Sequence, residues 1–443
     1  MPGSWSGVQN SRSHQLLYPF LITCLITGYL LLQPRDSDGL NQTQYELIDL
    51  KDKLTDIKAP SSGGAMAPRL TVAAGKLYMS WLEPDSTTKG EKNWHLKWSE
   101  WQDGQWSPAG TITSSTHFFI NWADFPSMFA TSPDTLYAHW LEKNPDTKSS
   151  YAYDVQLARS TDAGQHWQAL GRIRKDLPAH EKNYDGFVSF VEENGKARAF
   201  WIDGRAHDSK DLMSLRSVLV GDTIGTEHVL DDNVCSCCGT SAVSGSKGST
   251  IFYRNRTNEE IRDISYVSSK NAQWSSPQIL SADNWHISGC PVNGPQAAIK
   301  HDHIAVASFS GANDQASVRL SWSEDNGQSF GSPIEIDTLS PKGPLGRVDV
   351  VMPDTQRAIV SWLGQDSNGQ AVLYLRLINT DGQLSQYFQV IKLNADRATG
   401  FPQLALLGET LFIAWTEVSK QGKDVSGKGL RLVKINIAEL AFL

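Results

Sequence analysis

The stretch STDAGQHW, residues 160–167, has a second copy in SEDNGQSF, residues 323–330. Both octets have the form S-x-D-x-G-x-x-W/F, in which the Asp is suited to accept hydrogen bonds from loop N–H groups and the Gly permits a positive φ. The terminal aromatic ring would then anchor the hairpin in its own sheet. The octets therefore predict a structural turn, and not a catalytic site or a metal loop. The residues of the two turns are Ser160, Asp162, Gly164 and Trp167, and Ser323, Asp325, Gly327 and Phe330.

The octets recur in phase with a longer repeat that begins near Pro68. An apolar run, a turn and an alternating run occur seven times, and each unit reads as four antiparallel strands with the octet position between the third and fourth. Such units predict an all-β fold, a β-propeller of seven four-stranded blades, because packing around an axis buries sheet faces that a lone sheet exposes. The fourth strand of the seventh unit comes either from the C-terminal residues or from the segment before Pro68. The aromatic markers of the repeats are Trp81, Trp140, Trp201, Tyr253, Phe309, Trp362 and Trp415.

The octets resemble the Asp box, or BNR repeat, of the sialidase-like β-propeller family. That resemblance implies that the boxes are structural and lie on the face away from the active site, and it makes a six-bladed propeller the alternative to the seven units counted. The stretches CSCC, GCPVNGP and GRVDVV more closely resemble a bacterial group of membrane-anchored sialidase-like proteins of unclear activity.

The N-terminal part of the chain differs from the repeats. Residues 16–32, LLYPFLITCLITGYLLL, carry no charge, and this length is at the short end for a membrane-spanning helix. No small-residue cleavage motif follows, so we expect an uncleaved signal-anchor with the bulk of the chain outside the cytoplasm, in the periplasm if the source is bacterial. A cleaved signal peptide and a lipid on Cys24 are the alternatives. The expected divisions are a cytoplasmic N-terminus (1–15), a transmembrane helix (16–32), a stem and linker (33–64) and the propeller (65–443).

The net charge of the chain and the apolar spacing within the stem each support a prediction, the first about partners and the second about local structure. The formal net charge is −8 and no basic stripe occurs, which excludes nucleic acid as an expected partner. Within the stem, Leu47, Leu50, Leu54 and Ile57 fall roughly on one side of a helix, so a short amphipathic helix is predicted there.

Unusual polar residues gather in the loops that enter the first strands and in those that follow the second strands, which share one face of a propeller. Several Arg beside carboxylates suit an anionic ligand such as an acidic glycan, because guanidinium groups bind carboxylate or sulfate in bidentate fashion. Solvated loops can carry charges without a ligand, which is the alternative. The candidate ligand-binding residues are Arg69, Arg205, Arg254, Arg256, Arg347, Arg397, His180, Asn293 and Asp349, and the candidate catalytic residues are Asp203, Asp185 and Glu260.

The family resemblance implies an exo-α-sialidase-type glycosidase in which three Arg hold the substrate carboxylate, a Tyr is the nucleophile and an Asp is the general acid/base. Arg69, Arg254 and Arg347 are the counterparts of the three Arg, and no cofactor is required. No Tyr stands in the position of the nucleophile, since Tyr374 and Tyr387 fall in outer strands. A non-catalytic propeller that binds carbohydrate or protein is therefore the alternative to a hydrolase.

Four cysteines also fall at this face, in the loops that enter the fourth and fifth units. They are the only cysteines besides Cys24, and because the two units are adjacent the two loops could meet. Disulfides are expected if the domain is exported, whereas a thiolate site for copper(I) or zinc, or free redox-active thiols, are the alternatives. A cysteine-based metal or redox site is thus the third functional hypothesis. The residues are Cys235, Cys237, Cys238 and Cys290.

Overall fold

Seven β-sheets make up the part of the chain that the structure describes, and each is one blade of a propeller. The structure is a computed structural model that describes residues 46–85, 93–145, 152–174, 184–207, 211–271, 273–340, 342–421 and 424–442. Each blade has four main antiparallel strands. This confirms the predicted all-β propeller with seven blades and not six.

In each blade the strands follow one another from the central channel outward. Blade 1 contains Met66–Ala73, Lys76–Pro84, Trp94–Gln102 and Gly110–Ser115, and blade 2 contains Ser127–Ala130, Leu136–Lys143, Tyr153–Ser160 and Gln168–Arg172. Blade 3 contains Asp185–Glu193, Lys196–Asp203, Ser214–Val220 and Ile224–Asp231, and blade 4 contains Ser241–Gly245, Gly248–Arg254, Ile264–Lys270 and Gln278–Ser281. Two-residue strands, Gln105–Trp106 and Gln273–Trp274, pair with the third strands of blades 1 and 4.

The remaining three blades follow the same order. Blade 5 contains Gln296–Lys300, His303–Ser310, Ser317–Ser323 and Ile334–Glu335, and blade 6 contains Gly346–Val351, Arg357–Gln365, Ala371–Asn379 and Tyr387–Leu393. Blade 7 contains Gln403–Leu407, Thr410–Gln421 and Asp424–Asn436. Short 3-10 turns are formed by Ala312–Asp314, Arg397–Thr399 and Ile437–Glu439.

The N-terminal segment completes the ring. Thr55–Ile57 pairs antiparallel with Asp424–Asn436 and is the fourth strand of blade 7, while Leu47–Asp49 pairs in parallel with Tyr387–Leu393 at the edge of blade 6. The predicted amphipathic helix is therefore wrong, and the propeller sheets begin at Leu47 and not at residue 65. The apolar residues that suggested a helix serve the blades instead, since Leu50 is completely buried in their shared core. Pairing the C-terminal strand protects an edge that would otherwise be open.

The membrane prediction concerns residues that the structure does not describe. The N-terminus (1–15) and the apolar segment (16–32) both lie outside the described ranges. Among the residues that are described, no helix is long and apolar enough to cross a membrane.

The aromatic markers of the repeat lie in the second strands, and all seven are buried. In blades 1 and 2 the indole N–H of the marker donates to a carboxylate two residues further on, from Trp81 to Glu83 at 3.0 Å and from Trp140 to Glu142 at 3.2 Å. A buried indole needs such an acceptor. In these two blades an acidic residue near the end of the second strand therefore satisfies the buried marker, whereas in blade 6 the indole of Trp362 donates to Asp337 at 2.9 Å.

The two octets lie on the opposite face from the ends of the second strands, because Ser160 pairs with Leu136 and Ser323 pairs with Ile304, the first or second residues of those strands. We call the octet side the lower face and the other side the upper face. Within the first octet, Ser160 Oγ donates to Asp162 at 2.8 Å and Gly164 N–H donates back to Ser160 at 2.9 Å. A backbone hydrogen bond from His166 lowers the pKa of Asp162 to about 2.

Each octet packs against the preceding blade, which differs from the expected anchoring within its own blade. Trp167 of blade 2 meets Trp98 of blade 1 edge to face with ring centroids 6.4 Å apart. Phe330 of blade 5 meets Phe252 and Tyr266 of blade 4. The octets are thus ties between neighbouring blades on the lower face.

Candidate functional site

The predicted site residues that the structure describes lie mainly at the upper face, where the first strands begin and the second strands end. Asp185 and Asp203, for example, are direct cross-strand partners at that end of blade 3. His180 lies outside the described residues. The shared face was therefore predicted, but the contacts of the individual side chains differ from those of an open ligand site.

Arg254 is a buried tie between two blades. It is 1% exposed, and its Nη2 donates to the carbonyl oxygens of Asn293 at 2.7 Å and Phe309 at 2.8 Å, while Nη1 donates to that of Arg262 at 2.7 Å. The guanidinium also lies 4.9 Å from the ring centroid of Trp285. Because its donors are engaged by backbone carbonyls, Arg254 holds the loops of blades 4 and 5 together.

Arg347 has the same role between blades 6 and 7. Its guanidinium donates to the carbonyl oxygens of Gly400 at 2.9 Å and of Asp396 at 3.2 Å and is stacked 5.1 Å from the ring centroid of Trp122. Burial lowers the pKa of Arg347 to about 10. Arg254 and Arg347 are therefore bound to separate sets of carbonyls, and they do not form a shared carboxylate clamp with Arg69.

Three other predicted arginines lie in different surroundings. Arg205 donates to Asp203 Oδ2 and Glu227 Oε2, both at 2.7 Å. Arg256 donates to Glu260 at 2.7 Å, and Arg397 is exposed with its guanidinium 5.7 Å from the ring centroid of Trp122. Of the three, only Arg397 has a largely exposed side chain.

Asp203 was predicted as catalytic, but it lies two residues after the aromatic marker of blade 3, where Glu83 and Glu142 lie in blades 1 and 2. The indole of Trp201 donates to Asp203 Oδ2 at 3.1 Å, in the manner of Trp81 with Glu83, and Asp203 is not exposed at all. Burial opposes the charged form of Asp203, but the hydrogen bonds and the charge of Arg205 together lower its pKa below the usual value. These contacts assign Asp203 a structural role in blade 3.

The other two carboxylates predicted as catalytic are also paired within the protein. Burial raises the pKa of Asp185 to about 8, and this residue is 1% exposed and lies 3.5 Å from Arg174 Nε. Glu260 accepts hydrogen bonds from Arg256 and from Arg262, the latter at 2.6 Å, and the bond from Arg256 is the main cause of its lowered pKa. Asp185 also lies opposite Asp203 across the two strands, and the charge of Asp203 adds to the rise in the pKa of Asp185.

Asn293 and Asp349 likewise hold the backbone. Asn293 Oδ1 accepts from the N–H of Arg347 at 2.7 Å. Asp349 accepts from the N–H groups of Val350 at 2.8 Å and Leu404 at 2.7 Å, and burial raises its pKa to about 6. Both predicted ligand-binding residues therefore position the first strands of blades 6 and 7.

Arg69 differs from the other arginines because it faces a cavity. A central channel of about 850 Å³ runs between the first strands of all seven blades, and Arg69 lines both this channel and a smaller space at its upper end. Its Nη1 donates to the neutral side chain of Gln403 at 2.9 Å. Burial lowers the pKa of Arg69 below its usual value, and the nearby charge of Asp349 opposes only part of this effect. Arg69 is thus the one predicted arginine whose geometry leaves donors facing a cavity among the described residues.

The four cysteines form a cluster at the upper face between blades 4 and 5. Cys235 Sγ lies 3.7 Å from Cys237 Sγ and 3.6 Å from Cys238 Sγ. Cys290 interacts with Cys237, and all four cysteines are free thiols in this structure. Cys235 and Cys238 are buried, whereas Cys290 is exposed. The structure therefore confirms that the two cysteine loops meet.

Two residues that the sequence did not single out complete the surroundings of this cluster. Arg262 donates to Cys235 Sγ at 3.3 Å, and Tyr184 contacts Ser236, with burial raising the pKa of Tyr184 to about 12. The neighbouring thiols of Cys237 and Cys238 are the main cause of a pKa of Cys235 well below its usual range. Arg262 also donates to Glu260 at 2.6 Å, and nothing in its sequence position indicates that it lies beside the cysteines.

Comparison with known proteins supports the fold. The sequence matches no protein-family model and no curated protein. The BP39L lectin from Burkholderia pseudomallei is similar with a TM-score of 0.51 and 10% identity, covering 83% of this chain and 98% of the lectin. A PL25 polysaccharide lyase, an ulvan lyase, has a TM-score of 0.52 and 11% identity over 86% of this chain and 96% of the lyase. At these identities the likeness establishes the propeller fold.

Proposed function

We propose that this protein binds a soft metal ion, zinc(II) or copper(I), through the thiolates of its four clustered cysteines. The observation that carries the proposal is the spacing of the sulfur atoms around Cys235, 3.6 and 3.7 Å. Four metal–sulfur bonds of about 2.3 Å arranged as a tetrahedron separate the sulfurs by about 3.8 Å. A disulfide would instead bring two of them to about 2.05 Å.

The chemistry of the donor set supports the same proposal. Soft thiolate ligands select copper(I), zinc and iron–sulfur centres over hard cations. The Sγ atoms of Cys235, Cys237 and Cys238 lie within 4.8 Å of one another, and the contact between Cys237 and Cys290 supplies a fourth donor. Arg262 beside Cys235 offsets part of the negative charge that four thiolates would bring.

The test is elemental analysis of the purified full-length protein. We expect about one zinc or copper ion per chain, and we expect Cys235→Ser to lose it. Cys24→Ser is the matched control, because it removes the one cysteine outside the cluster and should leave the metal content unchanged. A metal-free protein in which mass spectrometry finds all four cysteines in disulfides would contradict the proposal.

An acidic saccharide at the upper end of the channel is the second candidate, favoured by the position of Arg69. A guanidinium with one neutral partner beside a cavity suits a carboxylate or sulfate. The lectin and the polysaccharide lyase of similar fold have saccharide ligands or substrates, and a second structure of that lyase is bound to GlcA(1-4)Rha3S. Exo-sialidase-type hydrolysis is the finer version of this candidate, and binding without cleavage is its alternative.

A panel of neutral, sialylated and uronate-containing glycans tests this second candidate. We expect binding of an acidic glycan that is weakened at least tenfold by Arg69→Ala and not by Arg357→Ala, a change of an exposed arginine at the lower face. Release of a monosaccharide would identify a hydrolase, and binding without release would identify a lectin-like protein. Equal binding of neutral and acidic glycans would contradict the role of Arg69.

We also propose that residues 16–32 anchor the protein in a membrane with the propeller outside the cytoplasm. Their uncharged, apolar sequence supports this. Fractionation and protease protection of intact cells would test it: the propeller should sediment with membranes and be digested from outside, or from the periplasm after the outer membrane is opened. Recovery of the intact chain in the cytosolic fraction would contradict it.

A further inference from the structure

We infer that Cys290 is an exchangeable ligand through which the proposed site transfers its metal to a second thiol, and that the site is not a structural staple. This inference rests on the proposed metal site. Its partner is a thiol-bearing carrier of soft metals, recognised by the sulfur it offers in place of Cys290.

The first observation is the uneven exposure of the four thiols. Cys235 and Cys238 are completely buried and Cys237 is half-buried, whereas Cys290 is exposed. In closed structural zinc sites, the four protein ligands enclose the ion. In this cluster the sulfurs of Cys235, Cys237 and Cys238 lie on one short segment and would hold the ion from the protein side. The ligand on the solvent side, Cys290, belongs to a different loop.

The second observation is that hydrogen bonds and a backbone contact within the protein join the two loops. The carbonyl oxygen of Arg254 accepts from the N–H of Cys235 at 3.0 Å, and its guanidinium donates to the carbonyl oxygen of Asn293 at 2.7 Å. One buried residue therefore connects the segment of Cys235 to the loop of Cys290. Gly294 adds a backbone contact, since a Cβ there would lie 2.1 Å from the carbonyl oxygen of Gly239.

Because of these contacts, the fold does not need a metal ion to join the two loops. A staple stabilises a fold by joining segments that would otherwise separate. Arg254, Asn293 and the two glycines already join these segments, so the release of a ligand at Cys290 would leave the loops in place. Cys290 can therefore leave its coordination position on the metal to an incoming thiol while the blades stay folded.

The exchange step balances without an oxidant or a reductant. An incoming thiol loses its proton as its sulfur bonds to the metal, the bond between the metal and Cys290 Sγ breaks, and Cys290 takes up a proton. The metal keeps its oxidation state and its bonds to Cys235, Cys237 and Cys238. Further thiols of the carrier then displace Cys235, Cys237 and Cys238 in the same way, each losing a proton while the departing cysteine gains one, and this completes the transfer.

Metal-transfer kinetics test this inference on the full-length protein loaded with one equivalent of copper(I) or zinc(II). Metal loss to an excess of a chromogenic chelator is followed with and without glutathione. We expect the rate for the native protein to rise with glutathione concentration. We expect Cys290→Ser to keep one bound ion but to lose it at least tenfold faster, and Cys238→Ser to bind none.

A thermal melt in the presence and absence of the metal is the second measurement. A transfer site predicts a change in Tm of less than about 3 °C on metal removal. If metal removal instead lowers Tm by 10 °C or more, or if Cys290→Ser and Cys238→Ser lose the ion equally, the site is a staple and the inference is overturned while the metal proposal stands. Failure of the native protein to bind either ion overturns both.

Discussion

Gly294 and Gly239 bring the two cysteine loops into direct backbone contact. A Cβ added to Gly294 would lie 2.1 Å from the carbonyl oxygen of Gly239, a separation that no pair of packed atoms can keep. Gly239 follows Cys238 directly, and Gly294 lies four residues after Cys290. The approach of the loops, and so the assembly of the four thiols, depends on the absence of a side chain at Gly294.

We therefore expect Gly294→Ala to weaken metal binding by about 10–100-fold, the range found when groups that orient metal ligands are changed. Gly289→Ala is the matched control, because its Cβ would meet only the Ile287 side chain, at 3.9 Å. Competition with a chelator of known affinity measures both variants. Equal affinities of Gly294→Ala and Gly289→Ala would mean that the loop contact does not position the thiols.

Replacement of Arg254 separates a structural role from a ligand-binding one. Removing its guanidinium leaves the buried carbonyl oxygens of Asn293, Arg262 and Phe309 without their donors, and each such loss costs about 1–3 kcal/mol. We expect Arg254→Ala to lower the free energy of unfolding by at least about 3 kcal/mol, as measured by urea denaturation.

Arg397→Ala is the comparison for that experiment. Arg397 is exposed, so its loss should change the free energy of unfolding by no more than about 0.5 kcal/mol. An Arg254→Ala variant as stable as Arg397→Ala, but with weaker glycan binding, would instead place Arg254 in a ligand site as the sequence suggested.

The repeat made the fold predictable because each blade reuses one pattern. The aromatic marker must be buried between blades, and its period appears in the sequence whatever the loops contain. The sequence leaves two alternatives for the strand that closes blade 7, because a three-residue strand such as Thr55–Ile57 carries too little pattern of its own. Its apolar spacing matched a helix equally well, and only the open edge of blade 7 decides between the two.

The site was less predictable because residue type does not reveal the partner. Arg254 and Arg347 stood in the expected loops, but backbone carbonyls, which any sequence supplies, engage their guanidinium groups. Asp203 looked catalytic until its hydrogen bond to Trp201 showed it to be equivalent to Glu83 and Glu142. The cysteines were predictable as a cluster, since sulfur chemistry allows few partners, but their free state was not.

Stability should depend on pH through Asp124. This carboxylate is 2% exposed and accepts from the N–H of Phe187 with both oxygens at 2.9 Å, and burial raises its pKa to about 7. Its usual value in an unfolded chain is about 3.9. The folded state therefore binds the proton more tightly, so the stability that Asp124 provides is full below pH about 4 and is lost as pH rises to about 7.

Asp124→Asn keeps a carbonyl acceptor for Phe187 but does not titrate. Between pH about 4 and 7, the contribution of Asp124 makes the free energy of unfolding of the native protein fall by up to about 1.4 kcal/mol per pH unit. The free energy of unfolding of Asp124→Asn should lack this contribution. Urea denaturation at a series of pH values measures this slope. Parallel curves for the two proteins would show that the buried carboxylate does not take up a proton on folding.

The contact between Gly164 and Trp98 makes the first octet a test of how blades are tied. Gly164 has a φ of +82°, and a Cβ there would lie 2.1 Å from Cζ2 of Trp98 in the preceding blade. Gly171 has a similar φ of +86° but nothing within 4 Å of its Cβ position. Both Ala substitutions incur the cost of a left-handed backbone, about 1–2 kcal/mol, but only Gly164→Ala also displaces the indole.

We expect Gly164→Ala to lower the free energy of unfolding by about 1–3 kcal/mol more than Gly171→Ala, which is the usual penalty for overfilling a packed interface. Fluorescence of the native state would change with it, because the indole of Trp98 must leave its contact with Trp167. Metal content should stay at the native value in both variants, since the octet lies on the lower face and the cysteines on the upper. Two variants of equal stability would mean that the octet is a turn within its own blade, as the sequence alone suggested.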